Sequence, residues 1–220
     1  MCYSAEASFA ASGVLAASSI AISRLPKEKA CIPLSLFPAI FAAHQFSEGI
    51  VWLNQDGVLP DAYKSGAVFA YVLIAFVLWP IFVPFSVYLM ESKRSRRIII
   101  LICQALGLWV GFTLLIRIIR DPIGVSADCC GLSYQVNGSD LFFGLYLVAV
   151  SLPFLASSRR NLVLFGAAIT VSCITAALVS SATSLPSVWC FFAAILSSGL
   201  YLHFRIEAEQ PLISPVRAQT

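Results

Sequence analysis

The sequence predicts an all-α fold, a bundle of seven transmembrane helices with the N-terminus outside and the C-terminus in the cytoplasm. Three observations carry that expectation. Hydrophobic residues make up 59% of the 220 and charged residues only 11%, against roughly 25% charged in a soluble domain, so there is too little polar surface to meet water on every side. The apolar residues come in uninterrupted blocks, and blocks of roughly 20 residues have the length of a membrane span. The basic residues fall in alternate connections between those blocks.

Taken in order, the spans are expected at 5–22, 32–53, 66–90, 98–119, 141–156, 162–182 and 187–204. Backbone polar groups in lipid must be satisfied within the segment, which makes each span a helix. The first is rich in Ala and Ser. It has Glu6 where the basic n-region of a signal peptide belongs, so it is read as a retained first helix. The third contains Pro80 and Pro84, each of which removes a backbone donor and bends a helix. The sixth carries Gly166, Thr170, Ser172 and Thr175, small residues suited to close helix packing. A transmembrane domain over 1–206 is expected to be followed by a cytoplasmic tail over 207–220, whose charge and two prolines point to disorder.

Orientation follows from Lys and Arg, which accumulate on the cytoplasmic side. One side holds Arg24, Lys27, Lys29, Lys93, Arg94, Arg96, Arg97, Arg159, Arg160, Arg205 and Arg217, and the other only Lys64, Arg117 and Arg120. The rich side is therefore read as cytoplasmic, in a cell (plasma or inner) membrane. The net charge of +3 is small and its basic residues are scattered in short clusters, which argues against nucleic acid as a partner. The partners this pattern implies are the bilayer itself and a small-molecule or lipid ligand.

Ionisable groups inside a bilayer are costly and mark functional sites. In the second span His44 and Glu48 are four residues apart, hence on one helical face, and Trp52 extends that face by a turn. At 1.5 Å per residue His44 lies roughly 18 Å from the inner end of its span, and Glu48 about 6 Å further out. Topology brings other polar groups to the same outer half: Cys2, Ser4 and Glu6 on the first helix, Arg117 at the end of the fourth, Asp140 before the fifth, and Trp189 and Cys190 on the seventh.

Three readings fit this cluster. His44, Glu48 and Asp140 bind a zinc-type divalent metal that activates water, making the chain a membrane hydrolase with Glu48 as ligand or general base. Alternatively Glu48 is the titrating group of a transporter or sensor, paired with Arg117. In the third, the His–Glu pair is a structural knot between helices. Cys2, if exposed by loss of Met1, offers an amine and a thiol and is a candidate nucleophile. Cys129 and Cys130 lie in an external loop over 120–139, where a disulfide to Cys190 or Cys2 is open to them. His203, near the inner end of the last span, is read as interfacial.

The opening Met-Cys-Tyr-Ser-Ala-Glu-Ala-Ser-Phe resembles the start of a family of uncharacterised prokaryotic membrane proteins, whose N-termini read Met-Cys-Phe-Ser-Ala-x-Ala-Ser-Phe. The segment from His44-Gln45 through Glu48-Gly49 to Val51-Trp52-Leu53 is similar to that family's second-helix motif. The run Ser187-Val188-Trp189-Cys190-Phe191-Phe192-Ala193-Ala194 is similar to its last-helix motif. The resemblance implies a seven-helix membrane protein and no particular activity. Two other seven-helix classes fail on their motifs. Retinal proteins need a lysine in the last helix, and 187–204 has none. Hydrolases related to alkaline ceramidases carry paired histidines there, whereas this chain has only His203.

Overall fold

The computed structural model describes residues 4–128, 131–181 and 183–213, and the chain is mostly helical. Seven helical segments follow one another: α1 (Ala5–Ser23), α2 (Lys29–Gln55), α3 (Asp61–Met90), α4 (Arg94–Arg120), α5 (Ser139–Leu155), α6 (Arg160–Val179) and α7 (Leu185–Ile206). All but α5 are long and apolar enough to cross a membrane; the apolar part of α5, Leu141–Leu155, is shorter. The helix of α7 is interrupted at Gly199 and resumes over Leu200–Ile213. Successive helices pack side by side, α7 closes the ring against α1, and α2 also touches α7 while α3 touches α5.

The burial pattern is that of a bundle immersed in an apolar medium. α2, α3 and α7 are the most enclosed, whereas α4 and α6 turn Ile102, Phe112, Ile119, Leu164, Val171 and Leu178 outward. An apolar surface of this extent does not suit water and does suit lipid.

Helix α3 shows how proline shapes the interior. Pro80 has no N–H to give and its ring crowds the carbonyl four residues back. The helix responds by widening into a π turn over Leu73–Leu78, in which Trp79 N–H bonds back to Ile74 O. That shift leaves the Ala75 carbonyl without its helical donor, and Tyr146 of α5 supplies one at 2.6 Å. Helix α4 closes on the same region through Gly107 and Gly111. A Cβ at Gly107 would run into the Pro80 carbonyl, and one at Gly111 would sit 3.1 Å from Val77 O. Small residues at this spacing let two membrane helices approach backbone to backbone.

The connection between α4 and α5, expected as a loop with no strands assigned to it, contains an antiparallel hairpin, β1 (Gly124–Asp128) with β2 (Gly131–Gln135), in register from Gly124 opposite Gln135 to Asp128 opposite Gly131. The first four residues of β2 are buried without alternation, as in a strand covered on both faces. The hairpin is seated on one end of the bundle. Gln55, at the end of α2, donates to Val125 O at 3.5 Å, Tyr134 N donates to Thr183 O at 3.3 Å, and Ser181 Oγ donates to Asp128 Oδ2 at 2.7 Å.

Candidate functional site

Beneath that hairpin, four elements contribute to one buried polar cluster. From α2 come His44, Gln45 and Glu48, from α3 Tyr71, from β2 Tyr134, and from α7 Ser187 and Cys190; all are buried. Glu48 stands four residues from His44 and three from Gln45, so it neighbours both on the helix surface. Gln45 Nε2 donates to Glu48 Oε2 at 3.1 Å, and the Ser187 hydroxyl donates to Glu48 Oε1. Ser187 Oγ in turn lies 3.4 Å from the backbone N–H of Leu132, which donates to it. β2 can come this close because residue 131 is glycine: a Cβ there would stand 3.0 Å from Ser187 Oγ.

An aromatic column runs beside the carboxylate. His44 stacks on Tyr71 with centroids 4.1 Å apart and planes at 23°, and Tyr71 stacks on Tyr134 at 4.1 Å and 9°. Each such pair is worth about 0.5–1.5 kcal/mol beyond the area it buries. The column therefore ties α2, α3 and the hairpin together. Tyr71 lies in the electrostatic neighbourhood of Glu48, Cys190 and Tyr134. Cys190 and Trp189 also border a small apolar cavity of about 40 Å³ among Phe37, Phe41, Trp79 and Phe154.

The cluster holds more hydrogen-bonding capacity than the protein uses. Both ring nitrogens of His44, Gln45 Oε1, Trp52 Nε1 and the hydroxyls of Tyr71 and Tyr134 are buried without a hydrogen bond of ordinary geometry. Buried polar groups in native proteins are nearly always paired, and a concentration of unpaired ones marks a place where something else belongs.

The expected site residues separate into three groups. Glu48 and Cys190 are neighbours and His44 joins them through its stack on Tyr71, with Trp52 buried on the same helix face. Trp189 donates to Ile169 O of α6 at 3.3 Å, Ser4 caps α1 by accepting from Ala7 N at 3.4 Å, and Glu6 is exposed. Arg117 does not pair with Glu48. It donates to Asn137 O at 2.8 Å and lies over the Phe142 ring at 5.4 Å. Cys2, Cys129, Cys130 and the side chain of Asp140 lie outside the described residues. Cys190 has a free thiol and takes part in no disulfide. Among the described residues no three His, Cys, Asp or Glu side chains gather as a metal site would require. Tyr71 and Tyr134 were not singled out from the sequence. Their signals were an aromatic with a polar tip inside an apolar span, and the strand-like alternation Leu132-Ser133-Tyr134-Gln135-Val136.

A family of unknown function, DUF6629, matches residues 1–213. The chain belongs to that family. The match takes in every element of the cluster, from α2 through the α4–α5 hairpin to α7. No curated protein matches the chain, and no solved structure does.

Proposed function

We propose that the chain is a seven-span protein of the cell membrane, N-terminus outside and C-terminus in the cytoplasm, that acts as a transporter or sensor with Glu48 as its working group. The basic-residue asymmetry supports the orientation, and α5 completes the count as a short seventh span. One observation carries the functional reading. Glu48 is buried, both its oxygens are held by neutral donors, and among the described residues no Lys or Arg pairs with it. A carboxylate at this depth needs a counter-charge or a proton to neutralise it. The protein surrounds it with aromatic faces and unpaired polar atoms, a setting that suits a proton or a small cation.

The test is flux and binding in proteoliposomes, wild type beside Glu48→Gln. A proton or small-cation signal that the substitution abolishes supports the reading. Equal signals from both proteins, or none from either, overturn it.

A zinc-type site is the second reading, favoured by one feature: neither ring nitrogen of His44 makes a hydrogen bond of ordinary geometry. It requires a further ligand, for which Cys2 and Asp140 are the sequence candidates. Elemental analysis of the purified protein beside His44→Ala decides it. Stoichiometric metal lost in the variant supports a hydrolytic centre, and no metal in either removes it.

A further inference from the structure

At the basic-rich end of the bundle, far along the chain from Glu48, the last turn of α3 and the first turns of α4 enclose an open pocket of about 410 Å³ lined by Tyr88, Ser92, Arg94, Arg97, Ile98 and Leu101. The α4 residues stand at i, i+3, i+4 and i+7, so they form one stripe along the helix. The stripe is basic in its first turn and apolar below, and Leu101 lies about 10 Å from Arg94 along the axis. Ile98 and Leu101 are exposed, as is the neighbouring Ile102.

Arg97 is held in place, with its guanidinium 4.4 Å from the centroid of the Tyr88 ring. That contact uses the face of the cation and leaves its N–H donors available. Among the described residues neither Arg94 nor Arg97 has a carboxylate partner. The nearby acid, Glu91, is fully engaged, accepting from Lys93 N, Ser157 Oγ and both N–H and Oγ of Ser158. The pocket therefore presents two uncompensated guanidinium groups and a serine above an apolar stripe that continues down the outer face of α4.

We propose that this pocket binds the phosphate of an anionic phospholipid, with Arg94 and Arg97 on the headgroup and an acyl chain along Ile98 and Leu101. Arginine suits phosphate because its planar donors meet two oxygens at once. Basic pockets between helices at the cytoplasmic surface are where membrane proteins take such headgroups. A soluble phosphate would satisfy the arginines but would leave the apolar stripe unused. The inference requires only that this end of α4 sits at headgroup level, and it is independent of what Glu48 does.

The experiment is native mass spectrometry of the full chain in neutral detergent, titrated with phosphatidylglycerol or with phosphatidylcholine of the same acyl chains. Wild type should retain phosphatidylglycerol preferentially. Arg94→Gln/Arg97→Gln should weaken it about 30-fold, from two surface charges, while Lys29→Gln/Arg160→Gln leaves it in place. Equal retention of the two lipids, an undiminished signal in the Arg94/Arg97 variant, or the same loss in the control pair overturns the site. If the Arg94/Arg97 variant does not fold, a photoreactive phosphatidylglycerol on the wild type decides: label within 88–102 supports the site, and label only elsewhere overturns it.

Discussion

Glu48 and Glu91 are almost equally buried, at 2% and 3% exposure, and the protein treats them in opposite ways. Glu91, at the loop after α3, receives two hydrogen bonds on each oxygen, at 2.6–3.3 Å, from Lys93, Ser157 and Ser158. Beside it Arg96 donates to the carbonyls of Ala156 and Ser157, so the α3–α4 and α5–α6 loops are clasped together. Glu48 has one neutral donor per oxygen and a ring of unpaired polar atoms around it. A buried polar network that is fully satisfied rigidifies a structure, and one that is partly satisfied is a poor knot. The comparison separates a carboxylate whose hydrogen bonding is complete from one whose surroundings are only partly satisfied.

Substitutions sharpen that contrast. The largest loss is expected from Glu91→Ala, which removes four acceptor contacts and strands the donors of Ser157 and Ser158. It should cost about 3 kcal/mol, from hydrogen bonds to a charged group, read as a fall in the thermal midpoint of the detergent-solubilised protein. Acid probes the same clasp. Burial alone would push the Glu91 carboxyl upward, but the donors from Ser158, Lys93 and Ser157 outweigh it and hold it near 2, below the ordinary 4.5. A folded-state value lowered in this way contributes stability that is complete above about pH 4.5 and is lost as pH falls toward 2. Glu91→Ala should lack this acid-dependent component, and the same acid sensitivity in variant and wild type would remove the clasp as its source.

Gly107→Ala should cost about 2 kcal/mol by pressing a methyl against the Pro80 carbonyl, an overpacking effect. Unchanged stability there would mean α3 and α4 are not in backbone contact at the kink. Tyr146→Phe should cost about 1–2 kcal/mol, since it leaves the Ala75 carbonyl freed by the π turn unpaired. A variant as stable as wild type would mean that carbonyl finds another donor.

Glu48→Gln sits at the small end, within about 0.5 kcal/mol of wild type. The amide keeps an oxygen for the Ser187 hydroxyl, and Gln45, whose Oε1 is unused, can rotate to accept from the substituted amide. Loss of flux or binding with stability preserved is the outcome that sets Glu48 apart from Glu91. A destabilisation as large as that of Glu91→Ala would instead make it a second clasp.

Much of the architecture was legible from local pattern. Apolar blocks of span length in a charge-poor chain must be helical, because lipid offers the backbone no other partner. His44 and Glu48 could be paired on one face by their spacing alone. The alternation of 132–136 hinted at a strand, but its burial on both faces was not legible: β2 packs on α7 and stacks Tyr134 on Tyr71 of α3, and no periodicity within 120–139 records those neighbours. Gly107 and Gly111 carried a readable small-residue spacing, but nothing local said that Pro80 stood opposite. Arg117 shared a level with Glu48, and depth along a helix does not specify the direction in which a long side chain turns.

The order and character of the helices, and the presence of a costly acid within one of them, belong to the chain's own pattern of apolar and charged residues. Folding alone brought Ser187 to Glu48, stacked His44 on Tyr71 and Tyr71 on Tyr134, and left the surrounding polar atoms unpaired. Those relations join residues up to 139 positions apart, and their partners depend on how helices rotate and approach one another, which is set by packing across the bundle and not by the spacing within any one helix.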